Sequence, residues 1–237
     1  MKAIIITPLK QISFKDCLID LVIYITFLFL AREIYIQSIG LIASVLVGSF
    51  IALSVATWRM KTRHVDWKDL GLCKPKSWKR TIMIALLIIV VSITSIMIIE
   101  VLKDIFPDLF SFENSNRGRK HKGPRFGKLE GNLPLFFSII FFIWLESMLE
   151  ELIDRGFLMN WLERLFSNIP YATIIAITIQ AALFGYRHSY SLSERSITVG
   201  VLGFIMGVAY MYLGRNLWAL IIAHCVLNTF SMLERVF

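Results

Sequence analysis

Cysteine is scarce in this 237-residue sequence. Cys17, Cys73 and Cys225 are the three present, with no paired spacing and no C-x-x-C, which argues against a disulfide framework or a zinc knuckle. Charge is scarce too: 18% of residues are charged and 57% hydrophobic. With a mean hydropathy of +0.68, the chain is too apolar for an ordinary soluble domain of this length. The opening "MKAIIITPLKQ" is interrupted too early to be a cleavable signal, so insertion is expected to rely on the first true span. H-E-x-x-H is absent, and no long-period repeat is evident.

What is abundant is the long apolar run. Crossing roughly 30 Å of hydrocarbon takes about 20 mainly apolar residues, and seven segments are candidates. These are Leu18–Ala31, Ile34–Trp58, Thr81–Leu102, Leu133 to about Phe166, Tyr171–His188, Ile197–Leu213 and Leu217–Phe230. Backbone groups at such depth must be paired internally, so the segments read as helices. The expected fold class is all-α, a polytopic membrane helix bundle, in the plasma membrane if the cell is prokaryotic. Two connections, "RMKTRHVDWKDLGLCKPKSWKR" and "SNRGRKHKGPRFGKLEG", carry much of the +8 net charge. Because they flank spans, membrane lipid headgroups are their expected partner and nucleic acid is not. Gly203-x-x-x-Gly207 has the small-residue spacing of closely packed membrane helices, read here as packing within the bundle.

Ionisable residues inside spans are costly and mark a site by default. "LEELIDRG" places Glu150, Glu151, Asp154 and Arg155 directly after "LPLFFSIIFFIWLESM". His188 ends one apolar run, and His224 lies inside another with Asn228 one turn later. Helix rise puts Glu150 about 24 Å, and His188 about 25 Å, from the "SNIPY" turn that joins their helices. An antiparallel hairpin then brings both to one depth, and Asn228 is expected at the same level on the last helix. Glu151 and Arg155, at i and i+4, are a natural ion pair. Glu150, about 100° away round the helix, is left to face another partner, within an acidic row of Glu146, Glu150 and Asp154. A positioned carboxylate of this kind suits general base and acid work.

At these residues the sequence resembles the CPBP intramembrane proteases, also called the Abi family, which include the type II CAAX prenyl endopeptidases. The marks are "EELIDR" (Glu150, Glu151, Arg155), "FGYRH" (Phe184, His188) and "HCVLN" (His224, Asn228), in order on three expected spans. The resemblance divides the chain into N-terminal transmembrane helices and basic loops (1–132) and a catalytic helix bundle (133–237). It implies an integral-membrane endopeptidase that cuts a prenylated CAAX tail, or a leader or pheromone peptide, near the bilayer surface. Glu150 would activate a water with His188 helping to hold it. His224 and Asn228 would stabilise the oxyanion, and Glu151 and Arg155 would brace the site. No cofactor is expected; were zinc present, Glu150, His188 and His224 would be its ligands. The competing readings are a non-proteolytic scaffold or bacteriocin-immunity protein of the same fold, and a proton-coupled transporter. The transporter is disfavoured by the lack of inverted repeats and paired broken helices.

Overall fold

The apolar runs fold into seven long helices in a computed structural model, which describes residues 7–32, 34, 40–110, 112, 128–189 and 191–237. The helices are α1 (Phe14–Arg32), α2 (Gly40–Thr62), α3 (Trp78–Ile105), α4 (Leu133–Leu165), α5 (Ala172–Ser189), α6 (Glu194–Tyr212) and α7 (Leu217–Leu233). No strand occurs among the described residues. The stretch 113–127, which holds most of the second basic connection and His121, lies outside them. Among the described residues, four helices are long and apolar enough to cross a membrane: Ile42–Thr62 within α2, α3, α4 and α6. Helix α7 is a shorter apolar helix. The chain is a polytopic membrane helix bundle.

The helix ends follow local chemistry. Ser77 accepts from the Arg80 amide at the start of α3, and Asn132 and Asn216 cap α4 and α7. Ser193 and Ser196 form a reciprocal capping box at α6. Each cap satisfies amides that have no helical partner, and is worth about 1 kcal/mol. Helix α3 shows how the bundle meets lipid. Leu86, Val90, Met97 and Val101 point outward, while Ala85, Ile88 and Ser92 face the interior.

Helix α4 departs from the uninterrupted α-helix expected from the sequence. It is α-helical over Leu133–Glu150, π-helical over Glu151–Leu158, and α-helical again over Met159–Leu165. The π register is visible in the Met159 amide, which bonds the Asp154 carbonyl five residues back. Such wide turns occur mostly as short inserts, frequently at functional sites. Asn160 secures the exit, its Nδ2 reaching the Arg155 and Gly156 carbonyls at 3.1 and 2.7 Å. All eight π residues are buried, so this part of α4 is enclosed.

Trp161, near the C-terminal end of α4, is buried in a core cluster shared with α1 and α2. Asp20, fully buried, accepts from Arg59 Nε at 2.8 Å, Arg63 Nε at 3.0 Å and Trp161 Nε1 at 3.1 Å. Asp20, an acidic residue inside the first apolar run, is therefore the anchor joining three helices. Helices α5 and α6 cross very closely. A Cβ at Gly185 would lie 2.3 Å from the Ser196 carbonyl oxygen, so only glycine fits there. Gly203 and Gly207 face Phe184, Ala181 and Ile177 of α5, so the small-residue pair packs within one chain.

Candidate active site

The wide turn of α4 hands its four ionisable residues to different neighbours. Glu150 Oε1 lies 3.8 Å from His188 Nε2, and Glu150 Oε2 lies 3.6 Å from His224 Nε2. Glu151 Oε1 receives both Arg155 Nη1 at 2.9 Å and His224 Nδ1 at 2.7 Å. Asp154 Oδ1 receives Arg187 Nη1 from α5 at 2.8 Å. The acidic row is thereby divided, because Glu146 Oε1 accepts the Ser49 hydroxyl of α2 at 2.6 Å. Glu151, Asp154 and Arg155 are fully buried, and removing one partner of such a pair typically costs about 3–5 kcal/mol.

The two histidines are oriented by what their Nδ1 atoms meet. His188 Nδ1 faces the Phe184 carbonyl, one turn back on α5, at 2.8 Å. A carbonyl only accepts, so Nδ1 carries the proton and Nε2 of the neutral ring offers its lone pair toward Glu150. His224 Nδ1 likewise donates to a carboxylate, which can balance the charge of that ring when Nε2 takes a proton. The histidines therefore differ in kind. One is held by a neutral carbonyl, the other by an anion. Phe184 packs between them, 4.6 Å from the His188 ring and 6.3 Å from that of His224, with the Arg155 guanidinium 4.3 Å above it.

Asn228 is placed differently from expectation. Its Nδ2 donates to Ser147 Oγ at 2.8 Å, one turn before Glu150. The cause is where α7 begins. Gly156 packs beside Leu217, so α7 starts level with Gly156 rather than with the end of α4. His224 thus stands opposite Glu150, and Asn228 is one turn beyond. Glu150, His188 and His224 come together from α4, α5 and α7, with Glu151 and Arg155 behind them and Asn228 one turn away. The sequence reading missed Ser147 and the Arg187–Asp154 pair. A serine within "FFIWLESM" and an arginine beside His188 were the available signals. Among the described residues, no group of three His, Cys, Asp or Glu side chains is arranged to hold a metal ion.

The segment that carries Glu150, His188 and His224 has a match among known families. The model of the type II CAAX prenyl endopeptidase Rce1-like family matches residues 132–230. That segment is similar to the Rce1-like family. It runs from the cap of α4 through α7 and contains every residue of the cluster. No curated protein and no solved structure matches the chain. The Rce1-like match indicates an intramembrane protease and supports, in general terms, a membrane endopeptidase of the CAAX type.

Proposed function

We propose that the chain hydrolyses a peptide bond with a water activated by Glu150. The observation that carries this reading is the Glu150 carboxylate facing Nε2 of both His188 and His224 at 3.6–3.8 Å. Those separations exceed direct hydrogen bonds yet allow one water to bond all three groups. Glu150 takes a proton from that water as its oxygen attacks the scissile carbonyl carbon. The neutral His188 Nε2 accepts the water's other hydrogen and orients it. The tetrahedral oxyanion is met by the free Asn228 Nδ2–H and by His224 Nε2–H, the latter in the ring's protonated form opposite Glu151. Glu150 then returns its proton to the leaving nitrogen as the C–N bond breaks, giving a carboxylic acid and an amine. No step passes through a metal.

The substrate class that best suits the reading is a prenylated CAAX tail presented from the lipid surface; a leader or pheromone peptide is the second candidate. Purified protein in detergent is expected to cleave an internally quenched peptide ending in a farnesylated CAAX tail. Glu150→Gln should abolish that cleavage with the fold intact, because an amide cannot take a proton from water. Wild-type turnover by Glu150→Gln would defeat the mechanism. Cleavage of a leader peptide but not of the farnesylated one would move the substrate class.

A further inference from the structure

We infer that Ser147 is a positioning residue of this site, its hydroxyl setting which way the Asn228 amide faces. The inference rests on the proposed role of Asn228 as an oxyanion donor. Ser147 is fully buried on α4, and its Oγ–H donates to the Ile143 carbonyl one turn back at 2.8 Å. A hydroxyl has a single proton, so toward Asn228 the same oxygen can only accept. The Asn228 group facing it at 2.8 Å is therefore the NH2 and not the carbonyl. One of the two Nδ2 hydrogens is spent on Ser147, and the other is left to donate. With that acceptor gone, the amide could turn its oxygen toward the developing oxyanion, where it would repel rather than stabilise. The chain of control runs from the Ile143 carbonyl through the Ser147 hydroxyl to the Asn228 amide.

Ser147 is not needed to hold the two helices together. Trp144 Nε1 of α4 donates to Thr229 Oγ1 of α7 at 2.9 Å, and Cys225 Sγ reaches the Trp144 carbonyl at 3.7 Å. These bonds bind the same pair of helices at neighbouring turns. A variant lacking only the Ser147 hydroxyl should therefore keep α4 and α7 docked while freeing the amide.

The test compares Ser147→Thr with Ser147→Val, which add the same bulk and differ only in the hydroxyl. Threonine in a helix can make the same bond to the carbonyl four residues back. Both variants are assayed with the farnesylated quenched peptide, alongside Asn228→Ala and the double variant Ser147→Val/Asn228→Ala. Ser147→Val should lower kcat by up to about 100-fold, the scale of a misplaced catalytic group, with KM unchanged. Ser147→Thr should retain most of the activity, and Ser147→Val should cost nothing further in the Asn228→Ala background. Equal losses in the threonine and valine variants, beside an inactive Asn228→Ala, would overturn the inference alone. An active Asn228→Ala would sink the oxyanion role first, and the inference with it. A readout independent of turnover is hydrogen exchange of the Asn228 side-chain amide by NMR in detergent. Protection should persist in Ser147→Thr and be lost in Ser147→Val; protection that survives in Ser147→Val overturns the inference without reference to activity.

Discussion

His224 Nδ1 lies 2.7 Å from Glu151 Oε1, on the same oxygen that receives Arg155 Nη1 at 2.9 Å. One buried carboxylate oxygen thus serves a histidine on α7 and an arginine on its own helix. The arginine holds Glu151 in place, and Glu151 fixes the His224 tautomer. What reads in the sequence as an i, i+4 ion pair is in three dimensions the base on which a second helix's histidine rests.

Glu151→Gln should therefore separate position from charge. The amide can still accept from His224 and Arg155, so a folded protein is expected, but it cannot balance a protonated ring. Cleavage should fall by about 10²–10⁴-fold, a range set by the loss of one general acid–base group at the low end and by carboxylate-to-amide change behind a catalytic histidine at the high end. Cleavage within a few-fold of the unaltered protein would refute the coupling. Arg155→Ala should instead lose about 3–5 kcal/mol of stability by stranding a buried charge. With Glu151→Ala the losses should be strongly non-additive in a double-mutant cycle.

The Asp154–Arg187 pair gives a sign that distinguishes pairing from mere polarity. Asp154 is fully buried and Arg187 nearly so, at 2.8 Å, and Arg187 immediately precedes His188. Removing either partner leaves a charge stranded among apolar helices, whereas removing both leaves none. Asp154→Asn and Arg187→Met should each lower the detergent melting temperature more than the double variant does. A double variant less stable than either single would contradict the pairing.

The proposed chemistry also makes a claim about metal. Exhaustive chelation should leave cleavage of the farnesylated peptide unchanged, and elemental analysis of purified protein should find well under one equivalent of metal per chain. Activity lost to a chelator and restored only by zinc would make Glu150, His188 and His224 ligands and reassign the water's activation.

Much of this arrangement was legible in the residues, and the missing parts have a common cause. The seven apolar runs correspond to seven helices, since lipid leaves the backbone few alternatives. "EELIDR", "FGYRH" and "HCVLN" drew attention to the turns of α4, α5 and α7 at which Glu150 meets His188 and His224. The π register was not legible, because the pattern along α4 gives no sign that Glu151 and Asp154 meet His224 and Arg187 on other helices. The level of Asn228 was misplaced for a related reason. Helix rise alone could not show that α7 starts beside Gly156. The partners of Asp20, namely Arg59, Arg63 and Trp161, lie far from it in the sequence and could not be read from the first apolar run. Spacing along one helix is local, whereas a partner on another helix is decided by the packing of the whole bundle.

The crossing of α5 and α6 supplies the last prediction, in which two facing glycines should behave oppositely. A Cβ at Gly185 would meet the Ser196 carbonyl oxygen at 2.3 Å and the Gly200 Cα at 2.9 Å. Both are backbone atoms, so relief requires one helix to move. A Cβ at Gly200 would come no nearer than 3.5 Å to the Ala181 carbonyl oxygen, an ordinary contact, and alanine is the better helix former by about 1 kcal/mol. His188 lies three residues after Gly185 on α5, so a displaced α5 carries the ring away from Glu150. A shift of about 1 Å can cost on the order of 100-fold in rate. Gly185→Ala is thus expected to lose both melting temperature and cleavage, whereas Gly200→Ala should keep both or gain slightly in stability. Equal tolerance of the two substitutions would show that α5 and α6 do not cross as closely as this structure places them. Cleavage retained in a destabilised Gly185→Ala would show that the position of His188 does not depend on that crossing.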